Sequence, residues 1–101
     1  MFSLSVILVG CSTSFNSNEA EEIAIQTAKH EGYSNPKLFL EYNHTTKEKY
    51  HYSKNEGKDI KAWEVSLVTD ERSRVNGMQA DLIYYVNIKN GEIIDKISGV
   101  D

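Results

Sequence analysis

Apolar and polar positions change period twice along this 101-residue chain. Residues 2–10, FSLSVILVG, form one uncharged and mostly apolar run. A polar stretch follows, broken only by Phe15. From residue 19 the apolar positions recur every three or four residues, at Ala20, Ile23, Ala24, Thr27 and Ala28, which predicts a helix with a narrow stripe of small side chains. Asn18 is the expected N-cap and Glu21 its capping-box partner, with Glu19 and Glu22 adding negative charge to the first turn. Lys29 and His30 suit the negative pole at the other end, and Gly32 can close the helix in the left-handed conformation. A stripe that small lets a helix lie close on a sheet.

Beyond the turn signal Ser34-Asn35-Pro36, the period shortens to two. Residues 37–42 predict a strand with Leu38, Leu40 and Tyr42 on one face. Between 43 and 59 the pattern weakens: Tyr50-His51-Tyr52 reads as a short strand and Asn55-Glu56-Gly57-Lys58 as a turn. Trp63, Val65 and Leu67 alternate with Glu64 and Ser66, as in a half-buried strand. Residues 70–79 read as a connection. Leu82, Tyr84, Val86 and Ile88 then share one strand face, and Ile83 and Tyr85 project from the other. Asn90-Gly91 predicts a two-residue hairpin turn. That register sets Ile88 against Ile93 and Val86 against Asp95, and the second pairing implies a bulge or an edge position near Asp95. The last strand ends at Ile97, and Gly99 to Asp101 are expected to fray. The predicted class is α+β: one N-terminal helix on an antiparallel sheet of three to four strands.

Composition narrows the function. Fifteen acidic against eleven basic side chains give a formal charge of −4. Without a dense run of Lys or Arg the surface is wrong for phosphate, so nucleic acid is not an expected partner. The single cysteine excludes an internal disulfide framework. With His only at positions 30, 44 and 51, no spacing matches a four-ligand structural zinc site. No phosphate-binding loop or calcium loop is present, and no metal or other cofactor is expected. The His30-Glu31 pair lacks the second His that a zinc-protease helix needs, because position 34 is Ser.

Leu8-Val9-Gly10-Cys11 resembles the lipobox of bacterial lipoproteins, in which the apolar run holds the scissile bond at membrane depth and the small residue admits the peptidase. The resemblance implies a signal peptide over residues 1–10 and a lipid thioether at Cys11, leaving the chain exported and anchored to the outer face of the cytoplasmic membrane. Residues 11–18 then read as a flexible tether and 19–101 as a single domain. No Lys or Arg lies between Met1 and Cys11, where the pattern usually has one. The alternative is that residues 1–9 form a first strand and Cys11 is a buried thiol.

The order helix, Gly32, strand, Trp63-Glu64-Val65, loop, and then Tyr85-Val86-Asn87-Ile88-Lys89-Asn90-Gly91-Glu92-Ile93-Ile94 resembles the PepSY domain over residues 19–97. Asn87 stands where that family usually has Asp. The resemblance implies a helix across a curved antiparallel sheet, as in cystatin-like folds. It also implies peptidase inhibition or partner binding, with no catalytic residues to transfer. A non-enzymatic envelope binding module with a protein or peptide partner is therefore the leading expectation. Its contact residues are drawn from the tyrosines and from the sheet face away from Tyr84: Ile83, Tyr85, Tyr50 and Tyr52. A small-ligand or metal-binding envelope protein using His44 and His51 is the rival from another class, and a hydrolase is a distant third.

Overall fold

A computed structural model of the chain describes residues 14–40, 46–70 and 80–99. Within them a helix, α1 (Ser17–His30), precedes five strands: β1 (Lys37–Leu38), β2 (Lys47–Ser53), β3 (Lys58–Val68), β4 (Leu82–Asn87) and β5 (Ile93–Ser98). All strand pairs are antiparallel, and the helix packs on one face. The α+β arrangement is the expected one, with five strands in place of three to four.

α1 starts two residues earlier than its charge pattern predicts. Asn16 is the N-cap: its side chain accepts from the Glu19 N–H at 2.8 Å, and the Glu19 carboxylate accepts from the Asn16 N–H at 2.9 Å. The cause lies one residue upstream. The Phe15 N–H donates to the Ile88 carbonyl at 2.7 Å, and the Phe15 carbonyl accepts from the Trp63 indole at 2.8 Å. With Phe15 pinned to β3 and to the residue that follows β4, the chain turns into the helix at the next residue that can cap it. Residues 15–18, read from sequence as tether, therefore belong to the domain body. At the other end, Gly32 (φ +99) and Tyr33 donate their N–H groups to the carbonyls of Lys29 and Ala28, the paired bonds of a Schellman closure.

β3 is the spine of the sheet. β4 and then β5 lie along one side of it, while β2 and the short β1 follow one another along the other. Ala20, Ala24 and Ala28 have no solvent exposure and sit against Val65 and Leu67 of β3 and Leu82, Tyr84 and Val86 of β4. Methyl side chains let the helix approach the sheet closely, so the larger residues of the core come from the strands.

Three sequence expectations change. The 37–42 strand pairs with β3 over Lys37 and Leu38, and the Phe39 N–H still donates to Ser66 O at 2.9 Å; Phe39 is buried and Leu40 exposed, and Tyr42 lies outside the described residues. The Tyr50-His51-Tyr52 strand extends over residues 47–53, where alternation is hidden because most of its side chains are polar and exposed. The final hairpin is wider than two residues: Asn87 and Glu92 close a connection over Ile88–Gly91, with the Asn87 N–H donating to Glu92 O at 2.7 Å. Val86 then pairs with Ile93 and Tyr85 with Asp95, and a β-bulge separates the two pairs. Ile88 lies outside the β4–β5 pairing: its carbonyl accepts from Phe15 and its N–H donates to Lys61 O at 3.4 Å, while Asn87 Oδ1 caps the turn through the Lys89 N–H at 2.8 Å. Most of the predicted 70–79 connection lies outside the described residues, as do Cys11, His44 and Tyr42.

Candidate binding surface

Tyr84 and Tyr85 point to opposite faces of β4, as their alternation predicts, and both are buried. On the helix side, the Tyr84 hydroxyl donates to Glu31 Oε1 at 2.7 Å, and Lys96 Nζ reaches the same oxygen at 3.0 Å. Burial, and then the Glu31 carboxylate, push the Tyr84 hydroxyl well above the ordinary phenol range. The same hydrogen bond holds Glu31 below its ordinary 4.5, and Glu31 raises Lys96 in return. The Glu31 carboxylate thus ties the end of α1 to β4 and β5.

On the other face, the Tyr85 hydroxyl donates to Glu64 Oε2 at 2.7 Å. Burial acts to raise the Glu64 pKa, but the Tyr85 and Lys49 hydrogen bonds outweigh it and hold the carboxyl below 4.5. The His51 ring stacks on Tyr85, with centroids 3.7 Å apart and planes within 8°. His51 Nε2 lies 2.7 Å from Asp95 Oδ2, and that hydrogen bond lowers Asp95 below its ordinary 3.8. Near the hairpin turn, Asn87 Nδ2 donates to Glu56 Oε2 at 3.3 Å. β2 and β5, at opposite edges of the sheet, are thereby drawn together across β4. The sheet curls on itself, and the β2–β3 hairpin covers much of the face that the helix leaves bare.

This closure redistributes the expected contact residues. Tyr85 is only 4% exposed and spends its hydroxyl inside the fold, so it offers no contact area. Ile83 is half-buried and pairs with Ile97, an edge-strand residue 47% exposed that the sequence pattern marks only as the end of a strand. Tyr50 and Tyr52, at 66% and 54%, stand on the hairpin side away from His51. Lys61 Nζ lies 6.0 Å from the Tyr50 ring centroid. A cleft of about 560 Å³ separates this side of the hairpin from the Phe15 strap, with Tyr50, Lys61, Trp63, Ile88 and Lys89 among its walls. Phe15, the lone aromatic in a polar stretch, was the available signal for it.

The ionisable groups under the hairpin form no open reactive centre. Glu64, Tyr85, His51 and Asp95 each hold one another, and none of them lines the cleft. Among the described residues, no group of three or more His, Cys, Asp or Glu side chains could hold a metal ion. His51, half of the predicted metal pair, is committed to Asp95, and Glu31 of the His30-Glu31 pair is committed to Tyr84 and Lys96. No helix among the described residues is long and apolar enough to cross a membrane. Comparison with protein families, with curated proteins and with solved structures finds no match to this chain.

Proposed function

We propose that this chain is a non-catalytic binding module of the bacterial cell envelope, a PepSY-like domain anchored by lipid at Cys11. In this reading it grips an extended segment of a protein partner and restrains a secreted or membrane peptidase. The observation that carries the reading is the β5 edge. β5 pairs with β4 along one side and is the outermost strand of the described sheet, and it carries the exposed Ile97 beside Ile83. An edge strand offers backbone groups to an added strand, while an apolar cross-strand pair gives the added segment something to bury. The curled sheet stiffens this edge from behind, because Asp95 is held by His51 and Lys96 by Glu31. A rigid edge loses less entropy on binding.

The test is site-specific photo-crosslinking in living cells. A photoreactive residue at position 97 is expected to capture a discrete envelope protein, and the same residue at the exposed Lys29 on the outer face of α1 is not. Identical adducts from both positions, or none from position 97, would contradict edge recognition. If the captured protein is a peptidase, adding the purified domain should lower its activity.

A further inference from the structure

We infer that the hairpin end of the domain rests on the bilayer surface, with Tyr50 and Tyr52 at the level of the lipid headgroups. The inference rests on the lipid attachment at Cys11 proposed above, and it assigns a surface and an occupant that the attachment alone does not.

Tether length is the first support. Phe15 is fixed to the body by two hydrogen bonds, so no more than the residues up to Ser14 separate a lipid at Cys11 from the domain. Three residues span at most about 10 Å when fully extended. Whatever surface surrounds Ser14 must therefore lie close to the headgroups. A tether running to residue 18 would have left the domain free to tumble; one ending at Ser14 does not.

The surface around Ser14 is the second support. Ser14 and Phe15 form one wall of the cleft, and Tyr50, Lys58, Lys61 and Lys89 line it too. The last β3–β4 pair is Ala62 with Asn87, so Tyr50 to Ser53 and their partners Lys58 to Lys61 extend past β4 at this end. Tyr50 and Tyr52 alternate with His51, which faces inward, and so they share the outward side. Tyrosine places an apolar ring and a polar tip at a water–lipid boundary, and lysine extends an apolar stem with a charged head. Glu48, Glu56 and Asp59 share the cleft with the three lysines. Net charge is therefore close to balanced, and the docking rests on the aromatic side chains and the tether.

The opposite end stays clear. Lys37 pairs with Val68, ten residues along β3 from Lys58, a distance of roughly 33 Å. Ile83 and Ile97 lie toward that end of β4, accessible to a partner while the hairpin sits on lipid.

Full-length lipidated chain, its mass measured, would be reconstituted into vesicles of phosphatidylethanolamine and phosphatidylglycerol. Because lipid occupies Cys11, a nitroxide can be placed on a single introduced thiol, in Asn55→Cys at the hairpin turn or Lys37→Cys at the far end. A paramagnetic metal chelated to lipid headgroups is expected to relax the Asn55 label several-fold more strongly than the Lys37 label. Equal relaxation, or the reverse order, in an acylated chain would overturn the inference and leave the anchored reading standing. A mass without acyl groups would overturn both. Replacing Tyr50 and Tyr52 by Ser is expected to reduce the contrast by half or more; an unchanged contrast would overturn the role given to the two tyrosines.

Discussion

Tyr84 and Tyr85 are consecutive, and each hydroxyl donates to a carboxylate on its own side of the sheet. The two sites differ in what loss of the hydroxyl leaves behind. In Tyr85→Phe, Glu64 stays buried with only Lys47 and Lys49 to face, and a stability loss of about 2 kcal/mol is expected in urea unfolding. In Tyr84→Phe, Glu31 keeps Lys96 and reaches water, so the loss should be nearer 1 kcal/mol. Glu31, Glu64 and Asp95 all titrate lower in the folded chain than their ordinary 4.5, 4.5 and 3.8. The unfolded chain therefore takes up protons first as pH falls. The stability these groups contribute is present above those ordinary values and is lost progressively below them. The urea midpoint is expected to drop between neutral pH and about pH 3, and Glu64→Gln should show a smaller drop. Alternation in the sequence was enough to place the two tyrosines on opposite faces. The burial of Tyr85 was not legible, because it depends on His51, thirty-four positions away in the chain and on another strand.

At the scale of elements, local signals were informative wherever local physics decides the outcome. The alanine stripe of α1, the Gly32 closure and a strand through Trp63, Val65 and Leu67 appear where the pattern puts them, but Glu64 and Ser66 are buried too, so β3 is covered on both faces where alternation predicts a half-buried strand. The shifted helix start and the widened final hairpin share one cause, a distant contact that outranks the local signal. Phe15 moved the helix start from Asn18 to Asn16, and its grip on Ile88 widened the final hairpin. The two ends of that contact meet at Gly91, whose φ is +77 and where an added Cβ would lie 2.8 Å from Phe15 Cζ. Gly91→Ala is therefore expected to destabilise by roughly 1–3 kcal/mol. Adding Phe15→Ala should remove the clash but not the backbone strain, so the double variant should lose less than the sum of the two singles, as read in a double-mutant cycle. Additive losses would mean that Phe15 does not pack on that turn. Asn16→Ala tests the corrected helix start separately, with an expected loss of about 1 kcal/mol, whereas Asn18→Ala should leave stability nearly unchanged.

Among the described residues, one helix lies over one face of the sheet and the β2–β3 hairpin folds against the other. The sequence conveys the first half of that arrangement, because an amphipathic helix and alternating strands each declare a buried side. It does not convey the second half: β2 is mostly polar and exposed, and nothing along Lys47–Ser53 states which strand His51 will meet. The functional reading follows the same division. With both faces of the described sheet largely covered, the proposed recognition falls to the β5 edge and the hairpin end. His51→Ala should loosen the closure without melting the core, seen as faster amide hydrogen exchange in β2 and around Asp95 with α1 unchanged. The most direct measurement is a solution NMR search for nuclear Overhauser contacts between the His51 and Tyr85 ring protons. Strong cross-peaks between them, with His51 ring signals shifted by the stacked phenol, are the expected result. A His51 ring with no contact to Tyr85 would show an open sheet face, and the assignment of recognition to the edge and the hairpin end would fail with it.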